Sequence, residues 1–342
     1  MLPAVYWKLK EPHFAEPVWD RDALVDGLAP FDPARPRPLT PQEQAYCQYY
    51  GLDLEIERPD ISHQLGYVQV DRYRIALHYY RQPAARGTVF VFHGYFDHAG
   101  LYSQIFEHCL SEGFDVVCYD QPGHGLSGGI PTSIRCFGDY QVVLSGILGH
   151  LQTCLTTPWF AIGQSTGGAV LLDYLLSNGH TQDSSAFREV ILLAPLIRPM
   201  GWLPGKLLHT LVRPFVTTWK RAFSENSSNS LFIKFLREHD PLQSRVMAVD
   251  WISALRVWIE RIEAISPIDM HVTVIQGELD LTVDWPHNLR VIRNKFRQAR
   301  IVRLPQGRHH LVNESPAMLG EIFAVISQTF APRSPQSTDG TD

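Results

Sequence analysis

The chain has 342 residues, of which 45% are hydrophobic, and its formal net charge is −5 at pH 7. This length supplies enough apolar side chains for one large core, and the acidic balance argues against a nucleic-acid-binding protein, in which a basic excess is usual. No run of about 18 apolar residues is present, and charges and prolines interrupt Met1–Asp20, so neither a membrane-spanning helix nor a signal peptide is expected.

The first predicted elements lie in residues 1–60, which we expect to form an N-terminal extension ahead of the main fold. Five prolines within residues 30–41 predict an extended linker. Thr40 can cap a helix that starts with proline, and Glu43 can complete a capping box. A helix is therefore predicted from this point to Gly51, a residue type that commonly ends helices.

Short apolar runs alternate with helix-forming segments through most of the remaining chain. Tyr67–Val70 and Arg74–Tyr80 predict a β-hairpin with a turn near Asp71. The later runs predict buried strands: Thr88–Phe92, Asp115–Tyr119, Trp159–Ile162, Val190–Ala194, Val272–Ile275 and Arg300–Leu304. This alternation is typical of βαβ units, so we predict an α/β fold in which helices flank a mostly parallel sheet, with its core in residues 61–196 and 266–330.

One interval is too long for a single crossover between strands. The segment between Pro195 and Met270 is several times longer than the dozen or so residues that a crossover needs. It predicts a helical cap over residues 197–265, inserted after the strand that ends near Ala194. Within it, residues 198–240 carry seven basic and three acidic side chains.

The composition of this insertion suggests a role. Trp202–Trp219 has aromatic residues and leucines at partly helical spacing, which favours a lid over an apolar acyl pocket. A basic amphipathic segment can also contact an anionic membrane surface, although a helix packed on the core with solvated basic side chains gives the same pattern. The polar run Ser224–Ser230 predicts a mobile hinge or loop. The polar tail at residues 331–342 is predicted to be disordered.

The segment with the most specific chemistry is Gly163-Gln164-Ser165-Thr166-Gly167, which matches the pattern G-x-S-x-G. It follows a predicted strand and precedes an apolar run that predicts a helix, which is the context of a nucleophile elbow. The flanking glycines allow the strand and the helix to approach closely. The hydroxyl of Ser165 is then exposed at a sharp turn, near the free N–H groups and the positive dipole end of the helix.

A serine nucleophile needs a base, and the base needs a carboxylate that orients it. Asp280 follows the next-to-last predicted strand, and Asp284 follows one helical turn later; either could also be an ordinary loop or helix-start carboxylate. His309 and His310 follow the last strand, and only one of them can face Ser165 because adjacent side chains point in different directions. Adjacent histidines rarely chelate one ion, so no metal and no cofactor is expected.

Loops after two earlier strands complete the predicted site. The turn at His93-Gly94 would aim the backbone N–H of Tyr95 at the site, and the N–H of Thr166 would be the second donor to an oxyanion. His93 itself is predicted to be structural. A second glycine-rich loop follows the next strand. Its polar side chains are predicted to stabilise that loop rather than to form a second catalytic set: Asp120, His124 and Ser127.

Together these motifs resemble the α/β-hydrolase fold superfamily and, more closely, its monoacylglycerol lipase and lysophospholipase branch, which is related to the serine aminopeptidases. The matching pieces, in order over residues 80–325, are His93-Gly94 with His98 and Tyr102, the block D-x-x-G-H-G-x-S-x-G from Asp120 to Gly129, the G-x-S-x-G segment, Gly277-x-x-Asp280, and Arg308-His309-x-Leu311-x-Asn313-Glu314. The branch places its base five residues before a glutamate, which implies His309. Gln164 departs from the branch, which usually has histidine before the nucleophile, and residues 1–60 have no counterpart in it.

The resemblance and the site residues together predict a serine hydrolase that cleaves carboxylic esters of apolar acyl groups, of monoacylglycerol or lysophospholipid type. Ser165 would attack, His309 would relay the proton and Asp280 would orient the imidazole. The expected partner is a small ester or lipid. An acyltransferase or an amidase could use the same residues, and a non-catalytic protein could use the pocket to bind a small apolar ligand.

The five cysteines are scattered and form no C-x-x-C pair. Such a pattern predicts reduced thiols and a cytoplasmic protein.

Overall fold

A mostly parallel sheet forms the centre of the fold. This computed structural model describes residues 16–221 and 223–332. Most of the tail predicted to be disordered, and the first fifteen residues of the predicted extension, lie outside the described residues. In chain order the strands are β1 (Ser62–Val70), β2 (Tyr73–Arg81), β3 (Thr88–Phe92), β4 (Asp115–Tyr119), β5 (Trp159–Gln164), β6 (Phe187–Leu193), β7 (Thr218–Lys220), β8 (Val246–Ala248), β9 (Ile268–Gly277) and β10 (Phe296–Leu304).

Within the described residues, the main sheet has eight strands in the order β1-β2-β4-β3-β5-β6-β9-β10, and β7 pairs with β8 apart from it. The pairs β1–β2 and β2–β4 are antiparallel. The other neighbours in the main sheet are parallel. The α/β class predicted from the alternating pattern is therefore confirmed.

Helices cover both faces of this sheet. They are α1 (Arg21–Gly27), α2 (Pro41–Tyr50), α3 (Leu54–Glu57), α4 (Ser103–Ser111), α5 (Gly138–Leu151), α6 (Thr166–Ser177), α7 (Trp202–Val212), α8 (Ser230–Glu238), α9 (Val249–Ala264), α10 (Trp285–Lys295) and α11 (Pro316–Phe330), with 3₁₀ turns at Ala99–Leu101 and Leu311–Asn313. Successive side chains of a strand point to opposite faces. In β3, Phe90 joins one buried apolar cluster with residues of α5, α6 and α9, while Val91 joins a second with residues of α2, α4 and α11.

The predicted strands are present, and most are longer than their apolar runs. β3 and β4 have the predicted bounds, whereas β9 and β10 start earlier because their ladder continues through polar residues. The hairpin between β1 and β2 turns in two residues, and Asp71 there adopts a φ of 50°. Aspartate tolerates this left-handed conformation better than most residues, so the turn suits its sequence.

Helix α2 begins and ends where its sequence signals predict. The Thr40 hydroxyl accepts a hydrogen bond from the Glu43 amide at 3.3 Å, and the Glu43 carboxylate accepts one from the Thr40 amide at 2.7 Å. Gly51 ends the helix with a φ of 65°. Arg37 holds the buried Glu43 carboxylate through both terminal nitrogens. The proline-rich linker is therefore anchored to α2.

The described part of the predicted N-terminal extension is built into the second cluster. Trp19 and Tyr46 are buried there, with ring centroids 5.2 Å apart in an edge-on arrangement. The amide of Phe31 donates to the carbonyl of Tyr67 in β1 at 2.7 Å. The buried core therefore includes residues that were predicted to form an extension ahead of the main fold. Their aromatic side chains pack against the helices that cover the sheet.

In the described residues between β6 and β9, the chain forms α7, α8, α9 and the antiparallel pair β7–β8. The helices match the prediction for this insertion, but the strand pair was not predicted. Buried polar contacts join the insertion to the rest of the fold: His98 Nε2 lies 3.1 Å from Asp240 Oδ2, and the Tyr50 hydroxyl donates to Asp240 Oδ1 at 2.8 Å. Burial alone would lower the pKa of His98, but the attraction of Asp240 outweighs it and the pKa is raised.

None of the described helices is long and apolar enough to cross a bilayer. All five cysteines lie in the described part of the chain and are free thiols. The cytoplasmic location stays a prediction.

Candidate active site

The turn from β5 into α6 holds Ser165 in a strained conformation. Its φ is 52° and its ψ is −110°, which a non-glycine residue rarely adopts. A Cβ added at Gly163 would lie 2.6 Å from the carbonyl oxygen of Gly167, and a Cβ at Gly167 would overlap the carbonyl of Phe92. Both flanking positions therefore require glycine, which is the steric reason for the G-x-S-x-G pattern. The Ser165 amide is already used, since it donates to the Leu193 carbonyl at 2.8 Å.

Two hydrogen bonds link Ser165 to residues from the far end of the chain. His309 Nε2 lies 3.0 Å from Ser165 Oγ, and His309 Nδ1 lies 2.8 Å from Asp280 Oδ2. All three side chains are buried. In this geometry the imidazole can take the hydroxyl proton while the carboxylate holds the ring in the required tautomer.

The loop after β9 fixes Asp280 in its ionised form. Asp280 Oδ1 accepts hydrogen bonds from the amides of Thr282 at 2.8 Å and Val283 at 3.2 Å. Burial alone would raise the pKa of Asp280, but His309 and these amides outweigh burial and lower it. The alternative acid, Asp284, instead caps α10 by accepting from the amide of His287. Asp284 is thus the helix-start carboxylate that one interpretation of the sequence allowed.

His310 points away from Ser165 toward a second carboxylate. Its Nε2 lies 3.1 Å from Asp97 Oδ2, which also accepts from the Tyr102 hydroxyl at 2.8 Å and from the Gly94 amide at 3.2 Å. Burial would raise the pKa of Asp97, but His310 and Tyr102 lower it well below its usual range. Asp97 was not predicted, since in the sequence it is only a carboxylate in the loop that follows His93-Gly94.

The predicted oxyanion donors belong to two segments that border Ser165. A Cβ added at Gly94 would be 3.4 Å from Ser165 Cβ, so the loop that carries Tyr95 runs directly beside the serine. Thr166 is the first residue of α6. Both residues border the same cavity as Ser165. Their role as donors stays a prediction.

The side chain of Tyr95 fixes this loop. Its ring stacks on Trp251 of α9 with centroids 3.8 Å apart, and its hydroxyl donates to the carbonyl of Thr132 at 2.7 Å. The loop that would present the oxyanion donor is therefore held by the insertion as well as by the core.

The other polar residues singled out near the strand ends are structural, as predicted. His93 Nε2 accepts from the Gln121 amide at 2.8 Å. Asp120 accepts from two backbone amides, each at 2.7 Å, and its carbonyl accepts from the Ser127 hydroxyl at 2.6 Å. His124 Nδ1 lies 2.9 Å from a backbone carbonyl two residues earlier. These bonds shape the two loops.

Gln164 occupies the position where the sequence departs from the resemblance, and its side chain holds the loop that carries His309. Its Nε2 donates to the carbonyl of His309 at 2.8 Å, and its Oε1 accepts from the amide of Leu311 at 3.2 Å. A neutral amide that donates and accepts suits this buried position, because it satisfies both backbone groups at once.

The polar run at residues 224–230 is a loop, but it is anchored rather than free. The carbonyl of Asn226 accepts from the amides of both His309, at 3.0 Å, and His310, at 2.7 Å. The amide of Ser228 donates to Glu314 at 2.8 Å. These hydrogen bonds tie the insertion to the loop that carries His309. The loop predicted from composition is therefore present, and its mobility stays a prediction.

A cavity of about 200 Å³ opens onto the Ser165 hydroxyl. It is lined by Gly94, Tyr95, Phe96, Asp97, Gln164, Ser165, Thr166, Leu196, Pro199, Arg221, Ser224, Asn226, Met247, Trp251, Leu255, Thr282, Val283, His309 and His310. None of its lining residues comes from residues 202–219, and that this segment covers an acyl pocket stays a prediction. The part of the insertion that meets the cavity is the loop after β7, with β8 and α9.

Comparison with known proteins agrees with the geometry. A family model described as "Serine aminopeptidase, S33" matches residues 83–316. A monoglyceride lipase from Mus musculus is 25% identical over 258 residues, which cover 71% of this chain and 81% of that protein. A monoglyceride lipase homolog from Monkeypox virus is 28% identical over 166 residues, 46% of this chain and 56% of its own length.

Solved structures show the same fold. A soluble variant of monoglyceride lipase from Saccharomyces cerevisiae, in complex with a substrate analog, superposes with a TM-score of 0.66 at 18% identity, covering 78% of this chain and 94% of that one. The likeness confirms the predicted α/β-hydrolase fold.

Proposed function

The chain belongs to the serine aminopeptidase family, in the monoacylglycerol lipase-like branch of the α/β-hydrolases, and is a carboxylic ester hydrolase; we propose that it cleaves esters of apolar acyl groups, of monoacylglycerol or lysophospholipid type, through an acyl-enzyme on Ser165. The observation that carries this proposal is the buried line of hydrogen bonds from Ser165 Oγ through His309 to Asp280.

Each residue has a defined task in this mechanism. His309 takes the proton as Ser165 Oγ attacks the ester carbonyl, and Asp280 stabilises the imidazolium that forms. The amides of Tyr95 and Thr166 hold the negative charge of the tetrahedral intermediate. His309 then gives its proton to the departing alcohol, and water releases the acid by the same steps in reverse.

The cavity has an apolar side suited to an acyl chain, formed by Leu196, Met247, Trp251, Leu255 and Val283. Its volume of about 200 Å³ lies below the ~300–1,000 Å³ of typical ligand sites. A long acyl chain therefore requires a wider cavity, and residues 197–265 act as the cap that moves to provide it.

Matched substrates test the reaction class. We expect p-nitrophenyl octanoate to be hydrolysed far faster than the octanoyl p-nitroanilide, with free acid as the main product even when glycerol is added, and a fluorophosphonate probe to label the peptide that contains Ser165. Preference for the anilide would indicate an amidase, and transfer of the acyl group to glycerol would indicate an acyltransferase. A protein that neither reacts with the probe nor hydrolyses any ester would contradict the proposed function.

The exposed side of α7 suits contact with a lipid surface, the source of such substrates. Leu203, Leu207, Leu208 and Leu211 lie at helical spacing, and Leu207 and Leu211 are 64% and 62% exposed. Phe215, just after the helix, is 84% exposed. An amphipathic helix of this kind binds in the plane of a membrane interface.

Basic side chains accompany this apolar face and favour an anionic surface. Arg213, which directly follows α7, and Lys220 of β7 are exposed, whereas Lys206 of α7 is held by Glu260 at 2.6 Å. Their attraction to anionic lipid weakens as salt rises.

Replacing both Leu207 and Leu211 by glutamine should weaken binding to vesicles of anionic phospholipid by roughly tenfold or more, because a buried leucine contributes about 1.5–3 kcal/mol. Co-sedimentation measures the bound fraction, and hydrolysis of p-nitrophenyl acetate should be unchanged. The control is Ile130→Gln, which removes an equally exposed apolar residue outside the insertion. Equal binding of the double variant and the wild type would show that α7 does not meet lipid.

A further inference from the structure

The cavity that holds Ser165 also contains an arginine from the insertion. Arg221 follows β7 directly, and its side chain lines the cavity. Its guanidinium lies 4.1 Å from the ring centroid of Phe96 and 4.5 Å from that of Phe223. Phe96 belongs to the loop that runs beside the serine, so this cation is positioned at the reacting end of the site.

Arg221 has no carboxylate partner among the described residues. There its hydrogen-bond acceptors are the side-chain oxygen of Gln243 and the carbonyl of Ser244, both neutral and both reached through Nη1. A guanidinium carries five N–H donors in a planar fork, so most of its capacity is left for another acceptor.

The nearby charges do not neutralise Arg221. Asp97 is engaged by His310, and Asp240 by His98. Burial lowers the pKa of Arg221 to about 10, with Asp97 and Asp240 acting against that effect and Arg245 adding to it. The side chain therefore stays positively charged at neutral pH.

The residue beneath the guanidinium is held in a strained backbone conformation. Phe96 has a φ of 72°, which a bulky residue rarely adopts. Strain of this kind collects at ligand sites, where the surrounding structure maintains it. Here it places an aromatic face under the cation, an arrangement that fixes the plane of an arginine fork.

We propose that Arg221 selects substrates whose ester is close to an anionic oxygen group, a phosphate or a carboxylate, which it binds through its free N–H donors. This inference rests on the proposed hydrolysis at Ser165 and makes the substrate class more specific. A partly buried cation without an anionic partner is costly to desolvate unless a ligand supplies the charge. Arginine meets phosphate and carboxylate with paired hydrogen bonds, and these are stronger than bonds to a neutral hydroxyl.

Three substrates with one acyl chain test the proposal on the full-length protein: 1-decanoylglycerol, 1-decanoylglycerol 3-phosphate, and the decanoyl ester of 3-hydroxypropanoate, each below its aggregation concentration. The wild type should prefer at least one anionic ester in kcat/KM, and the preference should shrink as salt rises. Arg221→Met should lower kcat/KM for the preferred anionic ester by about 10- to 100-fold, the range for a lost charge-assisted hydrogen bond. It should lower kcat/KM for the neutral ester by a much smaller factor, and Arg221→Lys should lie between.

Arg237→Met is the matched control, because it removes the same charge from the same insertion at an exposed position outside the cavity. It should leave the ratio of anionic to neutral turnover unchanged. Comparing the phosphate with the carboxylate ester tells which anion is the ligand.

Wild-type protein that hydrolyses the neutral ester at least as well as both anionic ones would overturn the role of Arg221 and leave the proposed function intact. So would equal losses on all three substrates in Arg221→Met. Wild-type protein that hydrolyses none of them and is not labelled by a fluorophosphonate would overturn both. The wild-type arms decide the matter even if Arg221→Met does not fold.

Discussion

Ser165→Ala is expected to lower kcat for ester hydrolysis by roughly 10⁴ or more, because the hydroxyl forms the covalent bond to the acyl group and no other group can replace it. Alanine lacks only the oxygen atom, and a small side chain suits the strained turn, so the fold should be retained. Hydrolysis of p-nitrophenyl octanoate measures the loss, and circular dichroism checks the fold.

The matched control is Ser111→Ala, since the Ser111 hydroxyl lies outside the cavity and donates to the carbonyl of His108, three residues earlier, at 2.7 Å. It should keep wild-type activity. Near-wild-type hydrolysis by folded Ser165→Ala protein would show that the nucleophile lies elsewhere.

The histidine pair gives the second large effect. His309→Gln should lose about 10⁴-fold in kcat, because an amide cannot accept the serine proton and return it. His310→Gln should retain most of the activity, since a glutamine amide can still donate to Asp97. Measuring kcat for both variants on one ester compares the same substitution at adjacent positions.

His310→Ala serves as a check on structure. It should destabilise the protein by about 1–3 kcal/mol, because the buried carboxylate of Asp97 loses one hydrogen-bond partner and keeps only the Tyr102 hydroxyl and the Gly94 amide. Urea unfolding measures this, and the conservative glutamine should restore much of the stability. If His310→Gln were inactive and His309→Gln active, the base would be one residue later than proposed.

The elbow was predictable from five residues because its requirement is steric and local. A Cβ atom at either glycine would collide with neighbouring backbone, so both positions must be glycine. This constraint can be seen in the sequence itself. The choice of Asp280 over Asp284 was less well determined, since both follow a strand and only the fold shows which one caps a helix. The choice of His309 depended on a resemblance to a family.

The supporting residues could not be found in this way. Gln164 meets His309 across 145 positions of sequence. Asn226 reaches the same loop from the insertion through a backbone carbonyl, which any residue type possesses. The roles of Asp97 and Arg221 depend on contacts with residues that are distant in sequence, so no local sequence pattern indicates them.

The amphipathic pattern of α7 predicted that one face of the helix is covered, but not what covers it. Spacing shows that the leucines share one face, and a cavity, a partner helix or a lipid layer satisfies that pattern equally. The fold turns this face outward and lines the cavity with the loop after β7 instead.

The amides of His309 and His310 donate to the carbonyl of Asn226, and these bonds couple the position of the insertion to that of the proposed base. A movement of this loop away from His309 and His310 would break both hydrogen bonds. The loop that carries His309 would then lose part of the support that holds the imidazole beside Ser165. If such a movement admits substrate, as proposed for the cap, proton transfer would be favoured only after the loop has returned.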